Sequence, residues 1–395
     1  MSAKKQKKYG FRKFMNDLHL WLGVASSLVL FVVCFTGTVY VFKTEIEEWL
    51  EPDKYQVENV LDQKLTIDEL AQITADETKG TINRITFTND EKRTYKINAS
   101  TNPENRRGET FLVDPYTGEI KGGTKGVASE FFMTMFKLHR WLMLDTEIGR
   151  PVVGIATIIF IILCFSGFIL WFPKKIKGFK SLKPGLKIKW KANWKRINHD
   201  LHVTLSFYSL ILLLIMAFSG LFWSFDWYKK FLSVTLDAQV GKYPAPSSLK
   251  NGESPEKSNK KKKEENAKPN IVISYEKALQ IAQKELPYHG QVSIGSPEKN
   301  GIYSVTKYNE NRFNATAYDQ ISIHAETGEV TEKKLFDDYR FGEKIAKQIK
   351  AIHMGTIYGT FSKWLYFISC LIATSLPLTG IFIWLNKMKK KPKKK

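Results

Sequence analysis

The chain has 395 residues, 43% apolar and 13% aromatic, with 60 Lys and Arg against 39 Asp and Glu and a formal net charge of +21. The apolar residues are bunched into long uncharged blocks, which excludes a single soluble globule. The positive charge is bunched as well, in short segments beside those blocks, and this argues against nucleic acid as a partner.

In chain order, residues 1–17 form a basic leader with six basic side chains and one acidic one. Residues 18–42 then contain no Lys, Arg, Asp or Glu, and the same holds for 151–172, 203–225 and 364–385. Each block reaches the roughly 20 residues that ~30 Å of hydrocarbon requires of an α-helix. Four transmembrane helices are expected. The first block has the basic lead of a signal peptide, but it is too long and lacks a small-x-small cleavage site before Lys43, so the expectation is that it is retained.

The intervening segments divide into a domain at 43–126, a His-bearing stretch at 127–150, and a basic loop with the start of the third helix at 173–202. A second domain follows at 226–340, then a second His-bearing stretch at 341–363 and a Lys-rich tail at 386–395. The 173–202 segment carries ten basic and one acidic residue and the tail seven and none, so with the leader these three segments hold the whole +21. The two long segments between them balance at 37 basic and 37 acidic. By the positive-inside rule both termini and the middle loop are cytoplasmic and the long segments lie outside. The Lys-rich tail then anchors topology or meets anionic lipid headgroups. Cys34, Cys164 and Cys370 all fall inside the apolar blocks, where a thiol behaves as a small hydrophobe, and no disulfide framework is offered to the outer segments.

Internal repetition is the strongest organisational signal. Residues 16–42 align without a gap on 199–225, placing Asp17, Leu18 and His19 on Asp200, Leu201 and His202, and Thr36-Gly37 on Ser219-Gly220. With one gap, the second apolar block and its lead align on the fourth, pairing His139 with His353, Ser166-Gly167 with Thr379-Gly380, and Trp171 with Trp384. The outer segments repeat too. Thr66 and Ser274 each precede an acidic first turn and an apolar helix, as an N-cap does. Alternating stretches at 84–87, 94–97 and 303–307 predict short strands. FLVDPYTGEI (111–120) and ISIHAETGEV (321–330) predict hairpins turning at Thr-Gly. The expected fold is a membrane α-helical bundle of four transmembrane helices with two small α+β extracytoplasmic domains, produced by internal duplication. Residues 244–269 are low in complexity and read as a linker.

The order of helix, TIDELA…DPYTGEI domain and helix, twice over, with DLH opening the odd helices, LHR or IHMG ahead of the even ones and [ST]G in all four, resembles the PepSY-associated transmembrane, or PiuB-like, family. The resemblance covers nearly the whole chain except the linker and tails. It implies PepSY-like outer domains, a bacterial inner-membrane location, b-type haem held between membrane helices, and a role in iron acquisition of the kind performed by siderophore reductases.

Five of the seven histidines, His19, His139, His199, His202 and His353, cluster at the ends of the apolar blocks. Under the expected topology His19 and His202 stand at the cytoplasmic side and His139 and His353 at the outer side. Each side then receives one His from each half of the repeat. Two imidazoles facing across a flat macrocycle are the axial ligands of a bis-His haem, and two haem b groups are expected, with His19 and His202 on one iron and His139 and His353 on the other. Zinc would require further ligands that no Cys or carboxylate cluster supplies. His199 is a neighbouring or propionate-side group or simply interfacial, because the repeat maps His202, not His199, onto His19. Gly37, Gly167, Gly220 and Gly380 share levels with the histidines, either to clear a porphyrin or to pack helices closely. His289 and His324 are read as surface residues.

No CxxC, HExxH or dinucleotide fingerprint is present, so the electron donor, a quinol or a cytoplasmic reductase, must come from elsewhere. Three readings of function follow. The first is a di-haem membrane oxidoreductase delivering electrons to an outside acceptor such as a ferric siderophore. The others are a non-redox PepSY interaction protein held by its helices, and a cytochrome b subunit serving another periplasmic reductase. For a siderophore, Tyr116, Tyr303, Tyr308, Tyr318 and Arg106-Arg107 are candidate contacts, against sheet packing or plain surface as the alternative; no catalytic residue is singled out.

Overall fold

The structure is a computed structural model that describes residues 10–102, 107–175, 177–247, 273–297 and 301–389. Arg106 and most of the expected linker at 244–269 lie outside the described residues. The first helix, α1, spans Phe11–Tyr40, and α2 (Lys43–Leu50) and α3 (Pro52–Tyr55) follow it closely. Next come α4 (Ile67–Thr78), β1 (Thr81–Phe87), β2 (Tyr95–Ser100), β3 (Glu109–Val113) and β4 (Ile120–Gly123), then α5 (Ser129–Trp141) and α6 (Thr146–Trp171). The order recurs with α7 (Trp194–Ser224), α8 (Asp226–Leu236), α9 (Tyr275–Glu285), β5 (Val292–Gly295), β6 (Ile302–Tyr308), β7 (Tyr318–His324) and β8 (Val330–Lys334), closing with α10 (Phe341–Met354) and α11 (Gly359–Met388).

α1, α6, α7 and α11 are each long and apolar enough to cross a membrane, and the chain is a membrane protein. They run beyond their uncharged blocks: α1 starts seven residues before residue 18, and α7 starts at Trp194, capped by Asn193, whose Oδ1 accepts from the Arg196 N–H at 3.0 Å. Hydrocarbon thickness limits the apolar stretch, not the helix, so polar turns continue it on either side. His19, His199 and His202 therefore all sit within helix. α1 and α7 each pack against both α6 and α11, giving a four-helix ring. The shorter α5 leans on α1 and α6, while α10 leans on α7 and α8.

The eight strands form one antiparallel sheet in the order β4-β3-β2-β1-β5-β6-β7-β8. The two expected outer domains are thus not separate: β1 pairs with β5, with Ile85 opposite Ile294, and the halves share a single sheet and core. The reason is that β1 and β5 would each be an edge strand in a four-stranded domain, and pairing satisfies their exposed N–H and C=O groups. Buried Ile85, Ile97, Ile294, Val305, Ile321 and Ile323 alternate along the strands on the face covered by α4 and α9.

The two helices also cap each other. Thr66 and Glu69 form a capping box at the start of α4, and Ser274 accepts from Lys277 N at the start of α9. Across the pair, the Asp68 carboxylate accepts from Tyr275 N at 2.8 Å and Glu276 N at 3.0 Å, and Glu276 accepts from Ile67 N at 3.3 Å. Each carboxylate satisfies otherwise free amides at the positive end of the opposite helix. The hairpin turns match as well. Gly118 and Gly328 have φ of +78° and +73°, a region that side chains disfavour. Asp114 and His324 hold equivalent places, each accepting a backbone N–H from the residue two positions on.

Candidate functional site

The [ST]G pairs of the four long helices each receive one histidine ring. A Cβ placed on Gly37 would lie 3.1 Å from Cε1 of His139, one on Gly220 3.1 Å from Cε1 of His353, one on Gly167 3.2 Å from Cε1 of His19, and one on Gly380 3.5 Å from Cε1 of His202. The glycines therefore stand at the histidine levels, but what they clear is an imidazole, a use that neither porphyrin clearance nor general helix packing had specified.

The residues around each glycine then hold the ring. Nδ1 of His139 lies 2.9 Å from the Val33 carbonyl and 3.4 Å from the Thr36 hydroxyl, and Nδ1 of His353 lies 3.0 Å from the Met216 carbonyl and 3.1 Å from the Ser219 hydroxyl. At the other end, Nδ1 of His19 meets the Ser166 hydroxyl at 2.9 Å, and Nδ1 of His202 meets the Thr379 hydroxyl at 2.9 Å. All four hydroxyls donate to carbonyls of their own helices: Thr36 to Val32, Ser219 to Ile215, Ser166 to Leu163, and Thr379 to Ser375. An oxygen whose proton is used in that way faces the ring as an acceptor, and a carbonyl can only accept. Nδ1 is then the N–H of every ring, which makes Nε2 the atom with the free lone pair. That is the tautomer a metal-binding imidazole needs, set by the partner of its other nitrogen. The Ser/Thr members of this arrangement were visible as part of a repeated dipeptide, but the spacing alone did not assign them a partner.

The rings come together in two pairs. His19 and His202 have centroids 6.3 Å apart with planes at 88°, and His139 and His353 are 6.1 Å apart at 54°. A metal bonded to two imidazole nitrogens at about 2 Å, with a ring radius of about 1.1 Å on each side, separates centroids by roughly 6 Å. Both centroid separations are compatible with that distance. The His139–His353 pair also borders a cavity of about 520 Å³ with largely apolar walls that include Leu30, Val33, Gly37, Leu213, Gly220 and Trp223. This volume is in the range of sites for organic cofactors. Among the described residues no group of three His, Cys, Asp or Glu converges to hold a bare metal ion.

The other singled-out residues lie elsewhere. His199 has a half-exposed side chain with Nδ1 3.6 Å from Asp200, outside the His19–His202 contact. His289 is bonded to Asn89, and His324 is in its turn. Tyr303 and Tyr116 are buried, their hydroxyls donating to the carbonyls of Ile273 and Glu91, so packing explains both. Tyr308 and Tyr318, in contrast, line a polar groove on the sheet together with Arg84, Ser293, Ser304 and Gln320. Cys34, Cys164 and Cys370 are all free thiols.

A sheet joined to four long apolar helices, with two pairs of histidines seated against those helices, is the architecture of a membrane protein. The profile of the PepSY-associated TM region matches residues 17–387, and the chain belongs to that family. No curated protein matches the chain.

Proposed function

We propose that this protein is a di-haem b membrane oxidoreductase that carries electrons across the bacterial inner membrane to an acceptor outside, with ferric iron in a siderophore as the acceptor class. The observation that carries the reading is the pair of facing imidazoles at each end of the bundle, 6.3 and 6.1 Å apart, with every Nδ1 engaged by the opposing helix. Both termini and the 173–202 loop are cytoplasmic in this reading, supported by the confinement of the +21 charge to those segments. His19 and His202 then hold the cytoplasmic-side group, and His139 and His353 the outer one. Internal duplication accounts for the matching pairs, since each is made of one residue from each half.

Haem b would supply one-electron chemistry at two depths of the membrane. The chain's own part is positional. Val33 and Met216, with Ser219 and Thr36, fix the outer imidazoles; Ser166 and Thr379 fix the inner ones. Largely apolar walls surround the outer pair. On the outside, the polar groove of Arg84, Ser293, Ser304, Tyr308, Tyr318 and Gln320 offers hydrogen bonds to an oxygen-rich chelate. No acidic cage is needed, because ferrous iron is held weakly by hard oxygen donors and leaves once reduced. The donor is a quinol or a cytoplasmic reductase.

The test is an optical spectrum of the purified protein before and after dithionite, followed by anaerobic addition of ferric siderophores with a ferrous trap. A reducible b-type spectrum with reoxidation and trapped ferrous iron is the expected result. A colourless, folded protein would reject the haem reading, and a haem that stays reduced across the siderophore panel would reject the acceptor class.

A further inference from the structure

We infer that Arg140 and Lys350 form a carboxylate clamp at the sheet-side cavity, fixing the edge of a planar cofactor that carries two acidic groups. The inference rests on the haem reading above and adds what orients the outer group. Both side chains line the cavity beside His139 and His353, and none of its lining residues is acidic. Among the described residues neither cation has a carboxylate within ion-pair distance, whereas fifteen other pairs are formed elsewhere in the molecule.

Arg140 is the more telling of the two. It follows His139 on α5, half-buried, with its guanidinium 5.4 Å from the Phe136 ring centre and 5.7 Å from that of Trp141. The fold thus places a half-buried cation against aromatic rings in a cavity whose lining holds nothing acidic to offset it. An anion in the cavity would supply the missing charge. Lys350 lies three residues before His353, on the same face of α10, so the ligand residue and the cation reach the cavity from one helix surface. Under the repeat, Arg140 aligns with Met354 and Lys350 with Phe136, so each half contributes one cation from a different position. Symmetry alone would leave a flat ligand free to bind in two orientations related by the pseudo-two-fold. Two cations at non-equivalent places break that degeneracy and choose one.

The experiment compares the full-length chain with Arg140→Gln, Lys350→Gln and the double variant, using Lys137→Gln on the exposed side of α5 as control. Each is reconstituted with haem and with haem dimethyl ester, in which the two carboxylates are blocked. Transfer of haem to excess apomyoglobin and the midpoint potential of the outer haem are the readouts. Loss of a charge-assisted hydrogen bond predicts about tenfold faster haem loss per cation. The double variant should bind haem no better than the unaltered chain binds the ester, and its outer potential should fall because positive charge beside the iron is gone. The ester result needs no mutation, so a variant that misfolds does not blunt the test. Equal retention of haem and its ester by the unaltered chain, or a double variant that loads fully and matches it in transfer and potential, would overturn the clamp and leave the haem reading standing. An unaltered chain that takes up neither would reject the haem reading itself.

Discussion

Gly37 faces the ring of His139, 102 positions further along the chain, so closely that a Cβ on the glycine would sit 3.1 Å from Cε1. The same relationship holds at Gly220 and His353, at Gly167 and His19, and at Gly380 and His202, where it loosens to 3.5 Å. Ala should therefore cost most at Gly37 and Gly220 and least at Gly380. Overpacking of this kind costs about 1–3 kcal/mol. Thermal unfolding in detergent, together with haem content, checks the ranking. A Gly380→Ala variant as damaged as Gly37→Ala would contradict it.

Removing one imidazole from a pair should leave the other pair intact. His139→Ala and His353→Ala are each expected to reduce haem to about one per chain, or to leave a high-spin outer haem through the change in ligand field. His19→Ala and His202→Ala should do the same at the other end, and His199→Ala should change neither. The ring angles of 88° and 54° make the two sites inequivalent, so electron paramagnetic resonance should resolve two low-spin signals, each lost with its own pair. Full loading with both His139→Ala and His353→Ala would refute the outer pairing.

Ser166 and Thr379 are the clearest hydroxyl partners, because their oxygens meet Nδ1 of His19 and His202 at 2.9 Å. Ser166→Ala and Thr379→Val should lower haem affinity by about 10–100-fold, the usual effect of losing the group that orients a metal-binding His. Thr36→Val should do less, since the Thr36 hydroxyl is 3.4 Å from His139 and the Val33 carbonyl remains at 2.9 Å. Titration of apoprotein with haem measures all three.

Topology has its own test. Reporter fusions at Lys92, in the β1–β2 connection, should be active outside the cytoplasm, and a fusion at Lys180, in the loop between α6 and α7, should be active inside. A reversed pattern would invert the assignment of the two histidine levels while leaving their geometry untouched.

The sheet should be acid-sensitive through Asp319. Its carboxylate is 1% exposed and accepts from Arg312 at 3.0 Å, Tyr288 at 2.5 Å and Phe336 N at 2.7 Å. Burial alone would raise its pKa, but the bonds from Tyr288, Phe336 and Arg312 prevail and hold it below the ordinary value. With a depressed folded pKa, the stabilisation is complete above the unfolded value of about 3.9 and disappears as pH falls through the folded one. Asp319→Asn should lower stability at pH 7 by about 1–3 kcal/mol and flatten its dependence on pH in the acid range. Thermal midpoints at pH 7 and in mild acid provide the measurement.

Much of this architecture is written locally. An uncharged run long enough for the bilayer marks a membrane helix wherever it occurs, and Thr66, Ser274 and the Thr-Gly turns act on their nearest neighbours, so four long helices, two N-caps and two hairpins could be read along the chain. The repeat also brought out His19, His139, His202 and His353. What the chain order could not convey is which surfaces meet. The β1–β5 pairing joins strands some two hundred residues apart. The interiors chosen for Tyr116 and Tyr303, the outward turn of His199, and the use of Ser166, Thr379 and the glycines as seats for imidazoles all depend on helix rotation and packing. Those are set by the sum of contacts between elements distant in sequence, and a side chain's own neighbours carry no record of them.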